Sequence, residues 1–300
     1  MSDQRAYGSP AAFRRALTDK LRDKARSGRW TLPQLQRQIA YDRLLQRLYT
    51  VDQGWVVKGA VALLTRDLGV RATVDIDIYR EVEREVAEAD LRDAAAQDIG
   101  DWFRFQVGAG RPIGNGARGV RLPVTASIGP AVWAECHVDL VGSDGRMTGE
   151  PDDVPPLAGV VMPDVEQHGY RAYPLVDHIA DKFAAILQRY GDLQMPSTRF
   201  KDLVDLVAIV TEASVEADAV KVALTSEADR RGIMLPETFD VPDRRLWELG
   251  YAAEARRSLL PAAHSLAEAL AAVGAFVDPL LDGTASGLWD PGTHRWAPSA

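Results

Sequence analysis

The hydrophobic pattern divides the chain into three blocks. In residues 11–50 apolar side chains recur every three to four positions: Phe13, Leu17 and Leu21, then Leu35, Ile39, Leu44, Leu45 and Leu48, with a break at Ser27-Gly28. That period predicts two amphipathic helices. In residues 51–165 a period of two takes over. Val74, Ile76 and Ile78 alternate with Asp75, Asp77 and Tyr79; Ala134, Cys136, Val138 and Leu140 alternate with Glu135, His137 and Asp139. Both stretches predict half-buried strands, because successive strand side chains point to opposite faces. Residues 55–58 predict a short buried strand that turns at Gly59 into a helix. Residues 83–100 predict a helix, and 102–107 and 120–128 predict strands. Residues 166–300 return to the helical period, with helices expected over 175–191, 200–213 and about 215–232, 243–258 and 262–277. The Gly/Pro/Trp-rich tail is expected to dock through Trp289 and Trp296. The resulting organisation is N-terminal basic helices over 1–50, an α/β domain over 51–165 and a helical domain over 166–300.

Composition limits the function classes. The chain has 300 residues, with 35 Lys plus Arg against 43 Asp plus Glu and a formal net charge of -8. A protein that grips nucleic acid over its whole surface is expected to be basic. The sum hides an asymmetry. Residues 1–50 carry eleven basic side chains (Arg5, Arg14, Arg15, Lys20, Arg22, Lys24, Arg26, Arg29, Arg37, Arg43, Arg47) and four acidic ones, a balance of +7 that leaves -15 for the rest. The single cysteine, Cys136, excludes an internal disulfide framework and reads as a small buried apolar residue. No secretory signal and no apolar run of spanning length is expected, so the expectation is a cytoplasmic protein without membrane contact.

Asp75-Ile76-Asp77 is the strongest chemical signal. Residues i and i+2 of a strand face the same way, roughly 6.6 Å apart. Two carboxylates so placed repel each other unless a cation sits between them. Hard divalent ions take such oxygen ligands and fill the rest of their shell with waters and phosphates. A second strand offers Asp139. Upstream, Lys58-Gly59-Ala60 forms a strand-turn-helix in which glycine lets the backbone approach phosphates. This layout resembles the polymerase-beta-like nucleotidyltransferases, an α/β fold of mixed sheet and flanking helices, here followed by an α-helical C-terminal domain. In such enzymes three carboxylates hold two metal ions.

The resemblance narrows further. Lys58-Gly59-Ala60 followed by Arg71-Ala72-Thr73-Val74-Asp75-Ile76-Asp77 is similar to the signature of the AbiEii/AbiGii toxin family. Asp181-Lys182-Phe183-Ala184-Ala185 with Arg189, and Arg199-Phe200-Lys201-Asp202-Leu203-Val204-Asp205-Leu206, resemble two further motifs of that family. The resemblance implies a toxin of a toxin–antitoxin pair. Such a toxin would move nucleotides from an NTP to the 3′ acceptor end of tRNA with Mg2+ (Mn2+ as the alternative), and a cognate antitoxin would restrain it. It implies Asp75 and Asp77 as metal ligands, with Asp139 as a third, Lys182 against the triphosphate, Asp202 near the nucleotide, and Lys58, Gly59, Ala60 and Arg71 around the phosphates. Asp205 and Arg189 are open to a second reading, as a structural ion pair between two helices. Ala60 departs from the usual Gly or Ser, which loses a hydroxyl and left-handed backbone freedom. The basic block at 1–50 becomes a candidate footprint for tRNA phosphates.

Two competing readings remain. The same chemistry could act on a small molecule such as an aminoglycoside, or the fold could bind a nucleotide or antitoxin without catalysis. The G-x-G-x-x-G match at 114–119 is not a dinucleotide site, because it precedes a strand rather than opening a helix. His137 shares the face of Asp139 and reads as a hydrogen-bonded surface histidine, or as a partner that supports the metal ligands.

Overall fold

The computed structural model describes residues 6–68, 71–113, 119–142, 147–163 and 165–298. Residues 114–118 of the glycine-rich segment and Arg5 lie outside the described residues. The chain forms two compact units. The first comprises Met1–Arg66, Ala72–Arg146 and Asp152–Ala172; the second comprises Asp67–Arg71, Met147–Pro151 and Tyr173–Ala300.

The first unit contains α1 (Pro10–Ser27), α2 (Leu32–Val51), β1 (Trp55–Lys58), α3 (Gly59–Thr65), β2 (Asp75–Arg80), α4 (Arg84–Ala96), β3 (Phe103–Val107), β4 (Arg111–Pro112), β5 (Gly119–Ile128), β6 (Ala131–Val141), β7 (Asp152–Val154) and β8 (Tyr170–Ala172). These strands form one mixed sheet in the order β3-β5-β6-β2-β1-β8-β7, with β4 paired to β5. β2–β6 and β1–β8 are parallel, and the other pairs are antiparallel. Ser9 caps α1 by accepting from the Ala12 N–H at 3.2 Å, and Pro10 at the first turn is pre-set for a helix. Phe13, Leu17 and Leu21 then bury one stripe of α1 in the same core as Ile76, Ile78, Val138 and Leu140. The first core residue of β2 is Ile76; Val74 lies before the strand and is 48% exposed. The short strands β4, β7 and β8 were not read from the sequence.

Helix α2 departs from its amphipathic pattern. Asp42, Arg43, Gln46 and Arg47 are as buried as Leu44 and Leu45. Arg43 Nε donates to Asp101 Oδ2 at 2.6 Å, and Arg47 donates to both Asp101 oxygens at 2.9 and 2.7 Å. Arg47 also satisfies the carbonyls of Gln97 and Phe103. These arginines fasten α2 to the segment that leads into β3. They are therefore withdrawn from any basic surface, although their sequence spacing placed them there. Several α1 cations are also engaged. Arg14 donates to the carbonyls of Ala131 and Val132, Lys20 to Val161 and Lys24 to Ala158.

The second unit contains α5 (Leu175–Leu187), α6 (Phe200–Glu212), α7 (Ala217–Arg231), α8 (Arg244–Arg257), α9 (Leu266–Leu281) and a hairpin of β9 (Leu288–Asp290) and β10 (Arg295–Ala297). Asp177 in the first turn of α5 accepts from Thr148 N, Thr148 Oγ1 and Gly149 N, which ties Met147–Pro151 into this unit. α9 starts later than the apolar spacing suggested, because Ser265 and Glu268 form a capping box at its start. The tail docks through its tryptophans. Trp289 is fully buried, with its indole N–H on the Val210 carbonyl, and Trp296 donates to the Phe276 carbonyl. Among the described residues no helix is long and apolar enough to cross a membrane.

Replacing Asp101 with Ala leaves two buried guanidinium groups without a counter-charge. Asp101→Ala is expected to cost about 3–5 kcal/mol in urea unfolding of the whole chain. A loss below about 1 kcal/mol, the size expected of a surface pair, would remove this triad from the stability of the first unit.

Candidate active site

Strand register assembles the first cluster. On β2, Ile76 and Ile78 are fully buried while Asp75 and Asp77 face the other way and are half-buried. Asp77 stands opposite Lys58 of β1 and opposite Asp139 of β6. Asp139 stands opposite Arg121 of β5, and Arg121 opposite Arg111 of β4. Residues directly opposite share a face of the sheet. One row across five strands therefore reads Lys58, Asp77, Asp139, Arg121, Arg111. The neighbouring row sets Asp75 beside His137, whose Nδ1 is 3.4 Å from Asp75 Oδ1.

Two groups on this face control the carboxylates. Arg121 meets both oxygens of Asp139, at 2.7 and 2.6 Å, and reaches within 3.5 Å of Asp75 Oδ2. Its hydrogen bonds to Asp139 hold the guanidinium pKa above its ordinary value. Gly59 has φ +60, and a Cβ there would lie 1.8 Å from Asp77 Oδ2. Glycine is thus required both for the left-handed turn and for the close approach of this carboxylate. The sequence assigned the room at Gly59 to a phosphate; in the structure the Asp77 carboxylate fills it. Ala60 is buried, so its methyl packs inward.

Asp75 and Asp77 offer half-exposed oxygen donors on one face, which suits a hard divalent cation that keeps waters and phosphate oxygens in its shell. Asp139 shares their face but meets a cation of the protein itself. Its two oxygens are committed to Arg121, and among the described residues no group of three His, Cys, Asp or Glu side chains is placed to hold a metal ion. The three carboxylates named from the sequence therefore share one face, two of them half-exposed and the third paired with Arg121.

The second unit holds its own polar cluster. Lys182 of α5 is buried, with Nζ 3.2 Å from Asp202 Oδ1 and 2.6 Å from Asp205 Oδ2 on α6. Arg71 forks onto both oxygens of Asp205 at 2.9 and 2.8 Å, and Arg199 Nε meets Asp202 Oδ2 at 2.7 Å. Burial opposes charge on Lys182, but the carboxylates of Asp205 and Asp202 outweigh it and raise the ammonium pKa. Burial likewise opposes charge on Asp205, and Lys182 and Arg71 overrule it to hold the carboxyl well below the usual range. Arg71, expected to meet phosphate, has Asp205 as its partner here. Asp205 joins α5 to α6 as an ion-pair residue. Arg189 takes no part in that pairing; it is exposed and donates to the Gln194 carbonyl. The sequence reading missed Arg121 as part of the first cluster and Arg199 as the partner of Asp202, although Arg199 lies three residues from Asp202 at helical spacing.

The family model described as "Nucleotidyl transferase AbiEii toxin, Type IV TA system" matches residues 43–275. The chain belongs to this toxin family. It is an NTP-dependent nucleotidyltransferase, the toxin of a type IV toxin–antitoxin system. Its fold is similar to that of MenT4, a nucleotidyltransferase toxin from Mycobacterium tuberculosis, with TM-score 0.56 and 17% identity over 88% of this chain and 89% of that one. JHP933 from Helicobacter pylori aligns at TM-score 0.48 and 14% identity, covering 82% of this chain and 94% of that one. No curated protein sequence matches this chain.

Two predictions follow from these contacts. Gly59→Ala forces a left-handed residue to carry a Cβ, at about 1–2 kcal/mol, and also displaces the Asp77 carboxylate. Nucleotide transfer is expected to fall as far as in Asp77→Asn; full activity would show that the carboxylate is not needed where it stands. The depressed pKa of Asp205 makes its contribution to stability full above the ordinary carboxylate pKa of about 4, and lost as pH falls through the depressed value. The raised pKa of Lys182 makes its contribution full below about pH 10.4, and lost as pH rises through the raised value. Urea unfolding of Asp205→Asn should show a shallower acid limb than the wild type; parallel limbs would deny Asp205 this role.

Proposed function

We propose that this toxin transfers a nucleotide from an NTP to the 3′ acceptor end of tRNA with Mg2+, and so blocks translation until a cognate antitoxin restrains it. The observation that carries the reading is the half-buried carboxylate pair Asp75 and Asp77 on one sheet face, with Lys58 opposite Asp77. Mg2+ held by this pair would polarise the α-phosphate and favour the deprotonated acceptor hydroxyl. Gly59 lets Asp77 lean over the turn, and Lys58 sets a positive charge in the same row, suited to the triphosphate. For Lys182 and Asp202 the family resemblance implies roles at triphosphate and nucleotide; within the second unit they meet each other, and Lys182 meets Asp205.

The acceptor is read from charge. α1 bears six cations (Arg14, Arg15, Lys20, Arg22, Lys24, Arg26) against Asp19 and Asp23, a balance of +4. Arg15 and Arg29 are exposed and point the footprint at a polyanion. The chemistry uses cytoplasmic substrates, NTP and tRNA, in keeping with a cytoplasmic toxin.

Purified protein with each α-labelled NTP, Mg2+ and total tRNA should give RNA labelled at its 3′ end. Asp77→Asn should reduce labelling by more than the ~10–100-fold that loss of an outer-shell metal partner costs. Label on an aminoglycoside and none on RNA would transfer the reading to a small-molecule acceptor. Arg15→Glu with Arg29→Glu should weaken RNA labelling most at low salt and flatten its salt dependence, since fewer phosphate contacts release fewer counterions; unchanged labelling would take the N-terminal helices out of RNA binding.

A further inference from the structure

Asp139 stands opposite Asp77 on the same sheet face, and the resemblance to two-ion nucleotidyltransferases implies it as a third metal-holding carboxylate. In this chain the position is already filled by a cation of the protein itself. Arg121 lies directly opposite Asp139, and its Nε and Nη2 meet one oxygen each. A bidentate guanidinium fixes a carboxylate in plane and occupies both of its oxygens. It also keeps its proton throughout the working pH range, so it cannot leave by losing charge. The Asp139 side chain is 13% exposed, which shields the pair from water on that side, while Arg121 remains 45% exposed. The same guanidinium approaches Asp75 within 3.5 Å and so stands at the edge of the remaining pair.

The backbone is built to make this contact. The β5–β6 hairpin leaves its turn with Ile128 opposite Ala131 and Ser127 opposite Val132, and a register shift then intervenes between Ala126 and Ser127. Continued unshifted, the turn register would set Arg121 opposite Val138, a core residue. The irregularity adds one residue and sets it opposite Asp139 instead. Bulges commonly re-aim a side chain in this way.

We infer that Arg121 takes the place of a second metal ion at Asp139, so that the site accepts one divalent cation, at Asp75 and Asp77, rather than two. The inference rests on reading Asp75 and Asp77 as metal ligands. Arg121 then acts as a positioning residue: it neutralises Asp139, keeps it out of the metal shell and holds a fixed positive charge beside the ion. Unlike a second ion, this charge does not depend on free metal concentration.

Mn2+ titration of the full chain, followed by the electron paramagnetic resonance signal of free Mn2+, tests it. Cooperative melting of each variant provides the check on folding. The wild type should bind one Mn2+ and Asp77→Asn none. Asp139→Asn should bind as the wild type does. Arg121→Gln, at a half-exposed position, uncovers Asp139 and should either admit a second Mn2+ or tighten binding by roughly tenfold, the lower end of what shell partners contribute. Two Mn2+ in the wild type, a loss in Asp139→Asn like that in Asp77→Asn, or an Arg121→Gln titration identical to the wild type would each overturn the role of Arg121 while leaving Asp75 and Asp77 as ligands. No Mn2+ uptake by the folded wild type would overturn the metal reading itself, and the inference with it.

Discussion

Like-charge repulsion on one face of β2 is the constraint around which the first unit is arranged. Asp75 and Asp77 point the same way from a six-residue strand whose other face, Ile76 and Ile78, is sealed in the core. The strand cannot turn over to relieve the carboxylates without exposing that core, since a one-residue slip exchanges the two faces. A third carboxylate, Asp139, is added by the parallel strand β6. The sheet answers with cations in register: Lys58 on one side, Arg121 and Arg111 on the other. The result is a row whose ends are positive and whose centre is negative.

The two units use buried charge in similar ways. Asp101 binds Arg43 and Arg47 in the first, and Asp205 binds Lys182 and Arg71 in the second. In each case one carboxylate satisfies two cations from different parts of the chain, so the carboxylate lies below its ordinary pKa in spite of burial. Such clusters specify which segments meet more surely than they add net stability. They also explain why counting basic residues along 1–50 overstated the charge at the surface. A guanidinium buried against a carboxylate cannot reach a phosphate at the surface.

The fold class, the two N-terminal helices, β2, β6 and most of the C-terminal helices were legible because their apolar periods are long and unbroken. Asp75 and Asp77 were legible because i, i+2 spacing on a strand needs no tertiary information. The roles of Arg121 and Arg71 were not. The partner of Arg121 depends on one register irregularity, which leaves no mark in the hydrophobic pattern. The partner of Arg71 lies 134 residues away in sequence. Arg43 and Arg47 misled for a related reason: α2 carries polar side chains on faces that are nonetheless buried, and their shared partner is Asp101, more than fifty positions further on. The strands β7 and β8, at three residues each, are too short to show alternation.

The membership of Arg71 has a genetic consequence. It is encoded between β1 and β2 of the first unit, yet it belongs to the second unit, where it grips Asp205. Met147–Pro151 is borrowed in the same way and secured by Asp177. The second unit is thus not a cassette that recombination could lift out in one piece at residue 173. A gene fragment cut there would carry Asp205 without one of its two cations and Asp177 without the backbone it caps. The two units are spliced into each other at the level of the open reading frame, which binds them to a shared inheritance.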